Sequence, residues 1–490
     1  MRAHRLSRRI DHVLHLDPDA PAVEFEQQWF SWKQLGVMAD RVAALIGDER
    51  AQVGILLRNR PVHVAALLGV LRRGATVVVI NPARGGERIK ADVGQLELTL
   101  IIGEPDDLAM LGELPVTTVV SLSDLAAEPN VVAAGQDRVI QERPGVAVRM
   151  LTSGTTGPPK RVDLTYGMLA HSVMGPEADR VSAPTELRRG VAIVNSPLVH
   201  IGGVFRILQC VAEGRAFVLL ERFELDRWVQ AVREHRPRAV SLVPTALRMV
   251  LHSDVPREDL ASIRAVTSGT APLSADDSDA FTEKYGIPVL TSYAATEFGG
   301  GVAGWTLADH QKYWREKRGS VGRANPGAQL RVVGDDGAPL APDQIGLLEV
   351  KPAQLGPSAE WMRTTDMARL DTDGFLWIVG RADQAIIRGG FKVMPDDVRG
   401  ALESHPAVAG AAVIGQRDER LGETPVAMVE LRTPRSADAA ALVDYLRNRL
   451  ARYEIPTEIA IVDELPRTAS GKPDLSAVRR HFSDADHAGY

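Results

Sequence analysis

The sequence holds a single cysteine, Cys210. No internal disulfide can form, so the small scaffolds stapled by disulfides are excluded and a reducing compartment fits. Cys210 lies in a mostly apolar stretch and reads as a small core residue rather than a nucleophile. Also missing is an apolar run long enough to span a bilayer, since the best candidate, Val64 to Ile80, is broken by Arg72, Arg73 and Gly74. A cationic surplus is absent too. The 57 Lys and Arg residues face 63 Asp and Glu, a net charge of −6, so neither a nucleic-acid footprint nor a polybasic membrane patch is expected. Arg2, Arg5, Arg8 and Arg9 cluster at the start, but Asp11, Asp17 and Asp19 follow and no apolar core with a cleavage site does. That stretch reads as a solvated N-terminal helix, not a transit peptide, and the chain as cytoplasmic. There is no Ser/His/Asp or Cys/His constellation, no common P-loop and no solenoid repeat.

What is present is 490 residues, 45% apolar and 24% charged, enough for a large α/β body with one or two smaller units. Short apolar runs alternate with amphipathic helices over the first three quarters. Val53–Leu57, Thr76–Ile80, Leu98–Ile102, Ala216–Leu220 and Ala239–Val243 read as buried strands, with helices at Asn59–Arg73 and Glu224–His235. Pro244 ends a strand, and Thr245 is expected to cap the next helix. Continuous apolar strands alternating with helices imply parallel-rich sheets covered on both faces. From about Gly319 the pattern changes to antiparallel strands, Gln329–Val333 and Gly346–Lys351, joined by Asp335-Asp-Gly-Ala-Pro339. The expected organisation is an N-terminal domain over 1–381, with a β-rich subdomain at about 319–381, and a small mobile α+β C-terminal domain over 382–490.

The most informative stretch is Met150-Leu-Thr-Ser-Gly-Thr-Thr-Gly-Pro-Pro-Lys160. Ser153, Thr155 and Thr156 offer hydroxyls, Gly154 and Gly157 let backbone N–H groups turn toward an anion, and Lys160 adds a mobile cation. With Thr152 this loop is the candidate phosphate site. It resembles the signature of the adenylate-forming superfamily, which comprises acyl-CoA synthetases, peptide-synthetase adenylation domains and luciferases. The family usually has Gly where Arg161 stands and His where Tyr166 stands, and both changes bear on how the loop moves.

Further motifs of the same family follow in its usual order, so the resemblance covers nearly the whole chain. Asn195-Ser-Pro-Leu-Val-His-Ile-Gly-Gly203 resembles the segment lining the acyl pocket, and the resemblance implies that His200 swings between two half-reactions. Ser268-Gly-Thr-Ala-Pro-Leu273 resembles the strip bordering adenine and acyl group, which implies nucleotide contacts at Gly269, Thr270 and Ala271. Ser292-Tyr-Ala-Ala-Thr-Glu297 carries Tyr293 to stack on adenine, Thr296 to meet the α-phosphate and Glu297 as the Mg2+ ligand. Ala294 replaces the usual Gly. Trp361-Met-Arg-Thr-Thr-Asp366 resembles the ribose motif, with Asp366 on the ribose hydroxyls, Arg381 assisting and Thr365 replacing Gly. Asp383 falls at the family's hinge, and Gly389 and Gly390 at its coenzyme A tunnel. Pro466-Arg-Thr-Ala-Ser-Gly-Lys472 matches the terminal motif, which implies that Lys472 completes the catalytic site.

The resemblance implies an ATP-dependent carboxylate–CoA ligase, most like an AMP-forming acyl-CoA synthetase, working through an acyl-adenylate. No general base is required, since the attacking carboxylate is ionised at neutral pH. The acyl pocket is expected to include His200, Val204, Ser268 and Gly299. Glycines after Phe298 leave room for a bulky or elongated apolar acid of medium chain, aromatic or alicyclic. The pocket segment lacks the Asp that amino-acid-activating members carry, which disfavours an α-amino acid. Loading of a carrier protein instead of coenzyme A stays open, as do a nucleotide-binding regulatory protein without catalysis and a homodimer.

Overall fold

The computed structural model of the chain describes residues 3–487 except 48–50, 85, 97, 113, 115–116, 136–142, 153–159, 177–181, 389–390, 419, 434 and 469–470. The described residues form five sheets. The largest has seven strands. Leu100–Gly103, Gln52–Leu56, Thr76–Ile80 and Val146–Thr152 run parallel at its centre, and antiparallel strands close both ends. Gln52–Leu56 and Thr76–Ile80 are buried at every position, as continuous apolar strands covered on both faces must be. The helix Pro61–Arg73 joins them. Pro61 fixes its first turn, and Gly74, at φ 82°, closes it in the left-handed conformation that lets the chain re-enter the sheet.

A second sheet runs Ala239–Ser241, Ala265–Ser268 and Val289–Ala295 in parallel, then Gly300–Gly304 and Arg323–Ala324 antiparallel. A third brings Pro21–Phe25 beside Arg215–Leu219, far apart in sequence. The fourth is the antiparallel ladder Gln329–Val333, Ile345–Lys351, Met362–Leu370 and Leu376–Arg381. The last holds Ile386–Arg388, Phe391–Val393, Val408–Asp418 and Gly422–Leu431, with Glu458–Val462 parallel to Gly422–Leu431. It has its own core of Val398, Leu402, Val413, Val429, Leu442 and Leu446. A large N-terminal α/β domain and a smaller C-terminal one are therefore present.

Two local expectations are corrected. The helix Arg5–Leu14 is not solvated: Leu6, Ile10, Val13 and Leu14 are buried in the main core, and Ser7 Oγ donates to Leu71 O at 2.6 Å. Its arginines occupy the opposite face, and Arg9 Nη1 reaches Ala212 O at 3.0 Å. Thr245 does not cap the helix Pro244–Leu251. Pro244 itself is the first helical residue, and Val243 stands at the cap without a side-chain bond. Cys210 is buried, with its thiol pushed up to about 12 chiefly by that burial, which leaves it inert at neutral pH.

Across the two domains, Arg248 of the helix Pro244–Leu251 donates to Asp277 at 2.7 Å and to Glu403 at 2.8 Å. Glu403 ends the C-terminal helix Pro395–Glu403, where Arg399 also reaches it at 3.4 Å. All three members of the bridge are largely buried, with side chains 14%, 16% and 8% exposed for Arg248, Asp277 and Glu403.

Candidate active site

The strands Ala265–Ser268 and Val289–Ala295 end at one edge of their sheet, where ligands of open parallel sheets bind. Beyond the first, Thr270 has a φ of 70°, a strained conformation for a β-branched residue and one that concentrates at ligand sites. Gly269 has to be small, since a Cβ there would lie 2.8 Å from Ser292 Oγ. Ser268 is 2% exposed, and its Oγ has no hydrogen-bond partner among the described residues.

Tyr293 lies on the second strand, and its hydroxyl donates to Asp366 Oδ2. Burial first, then the neighbouring Asp366 charge, pushes the phenol well above its usual pKa. Asp366 pairs across the β-rich ladder with Arg381, whose Nη2 donates to Thr365 Oγ1 at 2.7 Å. The hydroxyl that replaces the family's glycine thus steadies the arginine. Thr364 Oγ1 receives the Asp366 N–H at 3.0 Å and donates to Leu348 O at 2.8 Å, which fixes the carboxylate's backbone. Thr296 and Glu297 occupy a single turn after the Tyr293 strand, with Glu297 exposed.

Lys472 comes to this cluster from the C-terminal domain. Its pKa is lowered, first by burial and then by Arg381, while Asp366 and Glu297 pull the other way. Lys472 is an exposed residue, so its ammonium is near these groups without being sealed from solvent. The backbone presenting it is braced. Lys472 O accepts from Thr468 N at 2.7 Å, Gly471 takes φ 78°, and Arg467 ties Gly471 O to Glu430 at 3.3 Å each.

Thr152 and Lys160 pair across antiparallel strands, and Lys160 is exposed. Ser153, Gly154, Thr155, Thr156 and Gly157 lie outside the described residues, as do Gly389, Gly390 and the side chains of Thr152 and Asp383. The two departures from the family loop are structural struts. Arg161 Nη2 donates to Asp92 at 2.6 Å and Nη1 to Val79 O at 3.2 Å. The Tyr166 hydroxyl sits 2.7 Å from Ala75 O and 3.2 Å from Leu71 O, with His4 stacked on its ring.

His200 is half-buried at the cap of the helix Ile201–Ala212. Gly203 lets that helix start beneath Pro197, whose carbonyl oxygen would lie 2.3 Å from an added Cβ. Val204, expected on the pocket wall, has no exposed surface and packs into the main core. The room expected above the glycines after Phe298 is taken. An added Cβ would meet Met168 Cε at 2.7 Å from Gly299, and Ser172 Oγ at 2.9 Å from Gly300. Sequence reasoning also missed Asn59. Its buried amide donates to Ser196 O at 3.1 Å and Leu220 O at 2.9 Å and accepts from Leu198 N at 2.8 Å, which pins the segment before His200. An Asn just before a Pro-initiated helix was the one available signal.

A cluster of three ligand-type side chains, Glu24, Glu234 and His235, lies elsewhere, and no other is found among the described residues. No described helix is long and apolar enough to cross a membrane.

Comparison with known proteins agrees with this arrangement. Residues 10–357 match the model of the AMP-binding enzymes, and residues 398–472 match that of the AMP-binding enzyme C-terminal domain. The chain belongs to this AMP-binding family and, within it, to the AMP-forming acid–thiol ligases. It is similar to the indoleacetate–CoA ligase of Aromatoleum aromaticum, at 31% identity over 97% of this chain and 98% of that one. Its fold is similar to o-succinylbenzoate CoA synthetase from Bacillus subtilis in complex with an acyl-adenylate, at 26% identity and TM-score 0.78 over 98% of both chains. ATP-bound MatB from Rhodopseudomonas palustris shares the fold at 24% identity and TM-score 0.82, over 99% of this chain and 100% of that one.

Proposed function

We infer that this enzyme joins a carboxylic acid to coenzyme A in two steps, and that Lys472 serves only the first. The observation that carries the reading is that Lys472, of the C-terminal domain, lies near enough to Glu297, Asp366 and Arg381 of the N-terminal one for their charges to act on it. In the first step a substrate carboxylate oxygen attacks the α-phosphorus of ATP, and the bond to pyrophosphate breaks. Negative charge grows on the phosphoryl oxygens, and the cations Lys472 and Lys160 would offset it. Tyr293 and Asp366 hold adenosine, the first by its ring and the second through the ribose hydroxyls. Where Mg2+ accompanies the nucleotide, the exposed Glu297 carboxylate is the hard oxygen suited to hold it, and the ion would neutralise phosphate charge.

In the second step the thiol of coenzyme A attacks the acyl carbon, and AMP leaves. Lys472 has no part in that chemistry and has to make way for the thiol. The turn Ala382–Gln384 separates the last strand of the β-rich ladder from the first strand of the C-terminal sheet, which makes the boundary near 381 and the hinge at Asp383 the natural reading. Gly389 and Gly390 then border the thiol's path. The substrate is an aromatic or alicyclic acid, in keeping with the aryl substrates that the relatives' names carry. A supply of ATP and coenzyme A places the enzyme in the cytoplasm.

Lys472→Ala tests the reading. ATP–pyrophosphate exchange should fall by about 100- to 1,000-fold, the range expected on losing one group that stabilises transition-state charge. Thioester formation from supplied acyl-AMP should be retained. Equal loss of both half-reactions would refute the division of labour.

A further inference from the structure

The helix Ile201–Ala212 carries a half-buried cation that has no carboxylate paired to it among the described residues. The helix Ile201–Ala212 buries Gly203, Val204, Ile207, Leu208 and Val211. Its other stripe, Gly202, Phe205, Arg206 and Gln209, keeps partial exposure. The helix packs against the N-terminal helix, the helix Tyr166–Met174 and the strand Arg215–Leu219, and this stripe is the one they leave partly open. Arg206 stands in that stripe. Its Nη1 donates to Gln209 Oε1 at 2.9 Å and its Nη2 to Thr267 Oγ1 at 3.3 Å. Both acceptors are neutral. Among the described residues no Asp or Glu forms an ion pair with it; Glu213 attracts it only from a distance, and Arg215 opposes that attraction.

Burial works against this charge and lowers its pKa, yet a guanidinium does not give up its proton. It has five N–H donors in a planar fork, and two of them are engaged among the described residues. Charges drawn partly out of water are ordinarily paired, because an unpaired one is costly. A strut between Thr267 and Gln209 would need no charge at all. The location is also specific. Thr267 immediately precedes Ser268 on the strand that ends at the site, and His200 caps the start of the same helix. With a rise of about 1.5 Å per residue, Arg206 lies about 9 Å along the helix from His200. It therefore stands about two turns along the helix from His200, on the side that faces the strand ending at Ser268.

We propose that Arg206 is a specificity-determining residue that receives a second carboxylate of the substrate, so that the acid activated is a dicarboxylate. The inference rests on the ligase reading above and narrows its substrate class. The distal carboxylate would take the free edge of the guanidinium as a bidentate pair, while Thr267 and Gln209 hold the opposite edge. The apolar acid expected from sequence would leave the free edge of this half-buried guanidinium without a carboxylate.

The test compares α,ω-dicarboxylates and aryl diacids of graded length with their own monomethyl esters, by pyrophosphate release and by thioester formation. The ester removes one charge and keeps the shape. Wild-type enzyme should favour the diacid by about 100-fold in kcat/KM, mostly through KM, the scale of a desolvated charge pair. Arg206→Met should abolish the preference while turning over the half-ester as well as wild type or better, and Arg206→Lys should restore part of it. Equal kcat/KM for diacid and half-ester in the wild type would overturn the proposal without recourse to any variant. So would an Arg206→Met enzyme that loses both substrates alike. If no acid in the panel releases pyrophosphate, the ligase reading itself fails. Turnover without a diacid preference overturns only the assignment of Arg206.

Discussion

Replacing Arg248 with Met should unbalance the two half-reactions, because this one guanidinium spans the domains. It holds Asp277 at 2.7 Å on one side and Glu403 at 2.8 Å on the other. Taking one partner from a buried charge cluster costs about 3–5 kcal/mol when the remaining charge is left alone. Glu403 would not be left alone, since Arg399 stays within 3.4 Å of it. The share that crosses the domain boundary is therefore smaller, about 2 kcal/mol. At about 1.4 kcal/mol per tenfold, this shifts the population of the arrangement that presents Lys472 by roughly 30-fold. Single-turnover pyrophosphate release at saturating ATP and acid should slow by up to that factor. Thioester formation from supplied acyl-AMP should be unchanged or faster. Glu403→Gln, which keeps the shape and removes the charge, should act in the same direction. The double variant should be less impaired than the sum of the two, because both break one contact. Strict additivity, or equal slowing of both half-reactions, would refute the view that this bridge holds the adenylating arrangement together.

Two further outcomes are expected. His63 has no exposed surface, its Nδ1 accepts the Arg58 N–H at 2.9 Å, and burial pushes its pKa down to about 4 from an ordinary 6.5. Between those values the unfolded chain binds the proton and the folded chain does not, so stability is full above about pH 6.5 and falls as the pH drops toward 4. The loss should reach about 3 kcal/mol, and His63→Gln should flatten it in urea unfolding curves taken across that window; parallel curves would exclude His63 as the cause. Arg161→Gly, which installs the family's usual residue, should cost about 1–2 kcal/mol, because the Asp92 carboxylate loses its 2.6 Å partner and keeps only Arg84 at 3.9 Å. Thermal melting would read it, and an unchanged melting temperature would show that the pair is not a strut.

How much was legible in the sequence differs by element. Strands such as Thr76–Ile80 and the helix ending at Arg73 stood out, because apolar runs bounded by Pro and Gly admit few other readings. The helix Arg5–Leu14 was misread because four arginines drew attention from Leu6, Ile10, Val13 and Leu14, whose spacing already marked one buried face. The candidate site was legible as a set of motifs. The contacts that make it work were not, because they join residues distant in sequence: Tyr293 with Asp366, Arg248 with Glu403, Arg206 with Thr267. Room above Gly299 and Gly300 was overestimated for the same reason. A glycine shows that something is close, not whether it is ligand or the neighbouring helix.

Asn59 carries a consequence for how such an enzyme changes over evolutionary time. Its amide meets only main-chain atoms of Ser196, Leu198 and Leu220. Those bonds do not depend on which side chains the three positions display. The frame of the acyl pocket is thus uncoupled from its lining, and a lineage can exchange lining residues one at a time, altering which acid is accepted, without losing the scaffold that presents them.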